Sequence, residues 1–543
     1  MTRVPAVGYR WAAMAGEVSA ELEVPVVRLP PRAWVSPALV GLGWLPVVLA
    51  FLLALVHLDT WWNTDFTSGV WLAHAERTAA GVFYPAPYDG ELYGGTRYFP
   101  LALLYNQIFH ALVPNPLVAL RLASLVATAA ILALVWGLLG RLGLAAPHRS
   151  LLLGWLMASH PLLDTLATVH RGSASPVALQ LGALLLFLSA QARGEPADGA
   201  GRRGAVLRIA AAGVLAGLAV LTKPSAIWAG GAIGLMMLAR DRRRLPILVA
   251  AGAGTLGLGL LATEIATSGR MSENLFSFST GEMTLGAFLR APLDIARTCL
   301  DHFPGLVLVS PLIALGFVRR GERGRVHLFQ LAFLVAFFAL CVLESDPGIF
   351  DSHYVDLVVL APLAVGCALA SRGRAELERG LGDGATAALV LGIGAGLLLE
   401  YREPVAATLG GWRPRDVEVV AASIPEGARV LAEDPSLEVV RGEAPLILDA
   451  YMFARIDRKH PEWVDPLLEE VRSGAFDRIV LNHDPVAGLD NAHFQRHELG
   501  PRLVRAIVER YETIDVVGTF HVLAPAPTSG APAEPSGGVE AAP

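Results

Sequence analysis

The chain reads as a polytopic α-helical membrane protein with a small C-terminal α/β domain, and three observations predict this. Of its 543 residues 54% are hydrophobic and only 17% charged, with a mean hydropathy of +0.50, which is too apolar for a soluble protein. Apolar runs of spanning length recur from about residue 36 to 401. After Trp412 the composition becomes that of an ordinary soluble domain in which helical and strand patterns alternate. A net charge of −6 is small for this length and suggests no nucleic-acid partner. Cys299, Cys341 and Cys367 lie scattered in or beside apolar segments without a CxxC pair, so neither a disulfide framework nor a zinc site is indicated.

Residues 1–34 form an expected cytoplasmic leader. Glu17, Glu21 and Glu23 are mixed with prolines, and the apolar run that follows is long enough to remain as an anchor, which excludes a cleaved secretory signal. The membrane portion, 35–402, opens with a span at about 36–58 and a polar first loop at 59–98. The segment 99–113 is short and carries Asn106, Gln107 and His110, as an interfacial or re-entrant helix would. Further spans follow at about 117–140, 150–166, 174–191, 207–222, 226–239, 246–267, 303–318, 327–343, 353–371 and 384–401, about eleven in all, or twelve if one loop is assigned differently. Arginine clusters at 193–208, 240–244, 319–325 and 372–379 should stay cytoplasmic. By that parity the loop 59–98, Arg171, Lys223, the 353 turn and everything after Tyr401 face outward. Residues 412–524 alternate as an α/β domain: a helix at 417–422, the strand-like ARVLAED, PLILDAY, an amphipathic helix at 463–471, DRIVLN, a helix at 502–511 and the strand TFHVLAP. The tail 525–543, rich in Pro, Gly, Ser and Ala, is expected to be disordered.

Gly252, Gly254 and Gly257 spell GxGxxG, but inside an apolar span with no preceding strand, so close helix packing explains them better than a dinucleotide does. Gly392, Gly394 and Gly396 read the same way. GxxxxGK[ST], HExxH and GxSxG in a strand-turn-helix context are all missing, which removes the main support for nucleotide hydrolysis, metalloprotease and serine hydrolase chemistry.

Chemistry is expected in the first loop, which holds Trp61, Trp62, Asp65, Asp89, Glu91, Arg97 and Tyr98 at one membrane surface without a packing reason for them. Asp65 is either a functional carboxylate or a helix cap satisfying exposed amides. The tryptophans suit interfacial anchoring, and Asp89 and Glu91 sit in a Gly- and Tyr-rich turn that needs no function. The chain has two lysines, Lys223 and Lys459. Lys223, in LTKPS between two spans, is an outward cation against the positive-inside trend. It either meets a phosphate or snorkels to lipid headgroups. Arg97 and Arg171 fall on the same face, where three cations could bind a lipid phosphate. His353 and Tyr354 open a span at that surface and either line a substrate cavity or belong to an interfacial belt.

The succession TDFTSGVWLAHAERTAAGVFYP, GGTRYFPLALLY, RLASL, GVLAGLAVLTKPSAIW and HYVDLVVLAPLAVG resembles the GT-C membrane glycosyltransferases over roughly residues 36–401. It is closest to the bacterial branch similar to protein O-mannosyltransferases and to lipopolysaccharide core and aminoarabinose transferases. The resemblance implies a GT-C-like catalytic domain in a bacterial cytoplasmic membrane, with the C-terminal domain extracytoplasmic. The implied activity transfers one sugar from a polyprenyl-phosphate donor to an envelope acceptor, with inversion. Asp65 matches the acidic residue that acts at the acceptor, and Lys223 matches a contact to the donor phosphate. Many members carry two adjacent acids where this chain has Thr64-Asp65-Phe66, so a single base is implied, and no cofactor is certain although a divalent metal is possible. Rival readings are a transporter or flippase of lipid-linked sugars, for which Glu264 is the one mid-span acid, and a polysaccharide polymerase or ligase.

Overall fold

The computed structural model describes residues 35–191, 199–278, 283–318, 328–345, 351–370, 375–410, 415–491 and 498–527. The expected leader, the arginine loop at 319–325 and the tail from 528 onward lie outside the described residues. The first helices are α1 (Val35–Val56), α2 (Phe66–Ala79), α3 (Pro100–Leu112), α4 (Pro116–Arg141), α5 (Ala146–Met157) and α6 (His160–Ala167). The bundle continues with α7 (Ala174–Gln191), α8 (Gly199–Thr222), α9 (Trp228–Arg240), α10 (Leu245–Ala266), α11 (Arg270–Ser272) and α12 (Leu285–His302). It closes with α13 (Pro304–Val318), α14 (Leu328–Leu343), α15 (Val355–Ala370), α16 (Ala375–Leu399) and α17 (Arg402–Leu409).

Among the described residues five helices, α1, α4, α7, α8 and α10, are long and apolar enough to cross a bilayer. The pair α16 and α17 also qualifies, bent by 43°, and α13, α14 and α15 supply shorter apolar helices. The expected span 150–166 is two helices, because Pro161 at the start of α6 cannot continue the hydrogen-bond ladder of α5. The amphipathic α12 was not anticipated.

Small residues bring the helices together, as expected for association in lipid. A Cβ on Gly213 of α8 would meet Leu248 O at 2.5 Å, and one on Gly217 would meet Gly252 O at 2.5 Å. Gly252 therefore packs as anticipated, whereas Gly254 and Gly257 face open space. Similarly Gly392 and Gly396 lie against Trp155 and Ala158, and Gly394 is open. Glu264 is not a mid-span charge: it lies within a turn of the end of α10, and its Oε2 accepts from Ser272 N at 3.0 Å, which holds α11 in place.

The C-terminal domain is a four-stranded sheet, order β1-β2-β4-β3, of β1 (Val430–Ala432), β2 (Arg478–Leu481), β3 (Tyr511–Val517) and β4 (Phe520–Pro525). β1 and β2 are parallel, and β4 pairs antiparallel with both β2 and β3. The PLILDAY run joins no strand of this sheet. Its Ile447 bridges to Tyr93 of the first loop, and a helix starts at Ala450, capped by Asp449 Oδ1 at 3.0 Å from Tyr451 N. Tyr511 opens a strand rather than ending a helix, and β3 turns into β4 at Gly518, whose φ of +59° suits glycine.

This domain is seated on the first loop. Tyr93 N donates to Leu446 O and Leu448 N to Tyr93 O, both at 2.9 Å. A π-helical turn, Glu273–Phe278, clamps the loop from the bundle side: Asn274 Oδ1 accepts from Thr96 N at 2.6 Å, and its amide donates to Pro85 O at 3.1 Å. Such turns concentrate at functional sites.

Candidate active site

Three local devices place Asp65. Arg121 of α4, in the RLASL run, is buried and donates to the carbonyls of His57 and Trp62, so it closes the end of α1 and holds the chain that follows. Asn63 adopts φ +54°, a left-handed turn that asparagine tolerates, and its amide donates to Asp164 Oδ1 at 3.2 Å. Asp65 then caps α2: its Oδ1 accepts from Ser68 N at 2.8 Å and Ser68 Oγ at 2.7 Å. The cap and the functional reading thus coexist, because Oδ2 remains outside the cap.

That second oxygen pairs with Arg171 Nη1 at 2.6 Å, and Arg171 Nη2 pairs with Asp164 Oδ2. Burial works against the Arg171 charge, but Asp164 and then Asp65 more than offset it and hold the guanidinium above its ordinary range. The loop bearing Arg171 is pinned by buried polar bonds: Asn106 of α3 donates to His170 O at 3.0 Å, and His170 N donates to Leu120 O at 3.0 Å. Asn106, one of the polar residues of segment 99–113, thereby acquires a purpose.

Lys223 follows the last turn of α8, half-buried, with Nζ 3.4 Å from Ser352 O. Burial pushes its ammonium down to about 8, the nearby Asp356 opposes this, and the field of Arg171 adds to it. Asp356 is itself oriented by Trp228 Nε1 at 2.7 Å. His353 stands beside them, held neutral first by burial and then by the fields of Lys223 and Arg97. Arg97 pairs through Nε with Asp449 Oδ2 at 3.3 Å and lies 4.4 Å over the Tyr451 ring, so it also fastens the C-terminal domain. Burial pushes the Tyr98 phenol up to about 12, and the ring packs 4.0 Å from Trp71.

Asp65 touches Arg171, the Arg171 charge reaches Lys223 and Tyr98, and the charges of Lys223 and Arg97 reach His353, so the six form one chain of neighbours. Three expected positions do not join them. Asp89 and Glu91 are exposed, and the Asp89 carboxylate is spent on its own turn, accepting from Glu91 N at 3.1 Å and Leu92 N at 2.8 Å. Tyr354 is 1% exposed in the apolar core, and its hydroxyl donates to Glu344 Oε1 at 2.6 Å.

Sequence reasoning missed Asp164, Asp356, Asp434 and Asp449. For the first two a signal existed, since each is a lone acid inside an apolar run. Asp434 approaches from the C-terminal domain: a Cβ on Gly69 of α2 would meet its Oδ1 at 2.5 Å. Burial pushes Asp434 up to about 6, against its bonds from Ser436, and Asp65 adds to the rise. A cavity of about 550 Å³ opens beside Asn63 and Asp164, lined also by Trp62, His160, Glu400 and Arg415. Asp65, Arg171 and Lys223 are not in its lining; Asn63 and Asp164 connect it to them. A divalent metal does not fit at Asp65, because Arg171 already stands between the Asp65 and Asp164 carboxylates as their cation.

A helical bundle with a small α/β domain seated on its first loop is the fold the chain shares with solved structures of ArnT and of an archaeal oligosaccharyltransferase. Two solved structures of ArnT from Cupriavidus metallidurans, one bound to undecaprenyl phosphate and one in the apo state, match it with TM-scores of 0.57 and 0.56 at 14% identity, covering 90% of this chain and 98% of theirs. The apo oligosaccharyltransferase of Archaeoglobus fulgidus matches with a TM-score of 0.50 at 12% identity, covering 87% of this chain and 73% of that one. No family model matches the chain, and no curated protein matches it.

Proposed function

We propose that this chain is an integral-membrane glycosyltransferase that moves a single sugar from a polyprenyl-phosphate donor to an envelope acceptor (lipid, glycan or protein) at the extracytoplasmic surface, with inversion. The observation that carries the reading is the 2.6 Å pair of Asp65 with Arg171, whose charge also reaches Lys223, the one lysine of the membrane portion. The solved ArnT structure that holds undecaprenyl phosphate supports a lipid-phosphate donor.

In this reading the acceptor hydroxyl gives its proton to Asp65 Oδ2 while its oxygen bonds to the anomeric carbon. The bond from that carbon to the phosphate oxygen breaks, and the lipid phosphate leaves as an anion held by Lys223, Arg97 and Arg171. Charge-assisted bonds to the departing oxygen strengthen as its charge grows, which is what lowers the barrier. Protonation of Asp65 weakens its hold on Arg171 and frees that guanidinium toward the same anion. The acceptor enters by the cavity beside Asp164, and the lipid tail lies among the apolar helices, which is why the enzyme is embedded in the bilayer.

Mass spectrometry of lipid-linked sugars and envelope glycans tests this in cells carrying the wild-type or Asp65→Asn protein. One donor lipid should accumulate, and one glycan modification vanish, in the variant. Unchanged profiles in both pools would refute the reading, and a transporter would keep its activity in that variant.

A further inference from the structure

In open α/β sheets ligands gather at the carboxyl ends of parallel strands. Here β1 and β2 are parallel neighbours, and each runs into a metal-ligating side chain: Glu433 directly follows β1, and His483 lies two residues beyond β2. Glu498, just ahead of the helix Pro501–Arg510, closes the group. His483 Nδ1 stands 3.3 Å from Glu433 Oε2 and 3.2 Å from Glu498 Oε2. One donor atom from each residue lies within 4.8 Å of the others, the one such cluster among the described residues.

Zinc bonds to imidazole nitrogen and carboxylate oxygen are about 2.0 Å long, and two of them at the tetrahedral angle set their donor atoms about 3.3 Å apart. The observed separations match that edge. The orientation is also enforced: a Cβ on Gly488 would meet His483 Nε2 at 2.6 Å, so only glycine lets the ring back in there and turn Nδ1 toward the carboxylates. A further observation calls for a ligand. The Glu433 side chain is 1% exposed, and its Oε1 meets no hydrogen-bond partner among the described residues, while Oε2 already accepts from Asn482 N at 2.8 Å. An orphaned buried carboxylate oxygen is costly, and a divalent cation taking the place of the imidazole proton would face both carboxylates at once.

We propose that Glu433, His483 and Glu498 form a divalent transition-metal site, with the imidazole favouring Zn²⁺-like ions over Mg²⁺ and Ca²⁺. Its role is structural. The ion clamps the end of β1 to the end of β2, and the next residues, Asp434 and Ser436, form the surface against which Gly69 of α2 packs. A metal in the C-terminal domain thereby stiffens the support of the helix that Asp65 caps. The proposal does not depend on sugar transfer.

The test uses the full-length protein in detergent, stripped by a chelator and titrated with Zn²⁺ alone, with metal content measured after desalting. The wild type should retain one Zn²⁺ per chain and gain thermal stability from it, and an equal concentration of Mg²⁺ should not displace it. His483→Ala and Glu433→Gln should each weaken retention at least tenfold and abolish the stability gain. Should either fail to fold, Glu498→Gln at the more exposed ligand and the tetrahedral visible spectrum of the Co²⁺-loaded wild type carry the same decision. No stoichiometric Zn²⁺ in the wild type, or retention unchanged in the folded variants, overturns the site.

Discussion

Asp65 does two jobs with its two oxygens, and a substitution can separate them. Asparagine caps a helix as well as aspartate does but carries no charge for Arg171, so Asp65→Asn should cost only the ion pair's share of thermal stability while sugar transfer falls by about 10²–10⁴. Asp65→Ala should lose the same activity and also about 1 kcal/mol of stability, measured by thermal unfolding. Lys223 sets a pH limit. Its free-enzyme ammonium, at about 8, is lost as pH rises through that value, so donor binding should weaken about tenfold for each further pH unit. The stability sign is opposite: the unfolded chain keeps that proton up to about 10.5, so the Lys223 contribution rises from pH 8 toward that value. Asp65 and Lys223 were legible as single letters because each is out of place in its local composition. Asp449 and Asp434 were not, because what distinguishes them is a partner hundreds of residues away in the chain.

At the scale of elements, α2 transmits the C-terminal domain to the site. Gly69→Ala would drive a Cβ onto Ser436 N and Asp434 Oδ1, each 2.5 Å away, and backbone cannot yield as a flexible side chain does. The variant should lose about 1–3 kcal/mol of stability by thermal unfolding and part of its transfer rate. Unaltered unfolding would show that the domain sits loosely. The long apolar helices were readable because a spanning run announces itself by length alone. The break between α5 and α6 was hidden inside such a run, where the only mark was Pro161. β3 was hidden for the opposite reason: most of its residues are exposed, so it lacks the alternation that reveals a half-buried strand.

For the whole molecule, arginine parity put the first loop, the 171 and 223 turns and the C-terminal domain on one surface; contacts join the first loop to the 171 turn and to the C-terminal domain, and the 223 turn to the turn at Ser352. The seating of the domain was not readable, because it rests on single long-range pairs such as Tyr93 with Leu446. Sidedness is open to direct measurement. Cys299, Cys341 and Cys367 are buried, so single cysteines at the exposed positions Glu91 and Glu512 should be the reactive ones. Both should react with a membrane-impermeant maleimide in intact spheroplasts, and reaction only after permeabilisation would place the site on the cytoplasmic side. The most direct test of the central claim is transfer by the purified enzyme in liposomes, titrated against a polyprenyl-phosphate sugar. Asp65→Asn should abolish turnover while donor affinity stays within about threefold, and Lys223→Met should raise the donor KM at least tenfold. Full turnover in Asp65→Asn, or an unchanged donor KM in Lys223→Met, would contradict it.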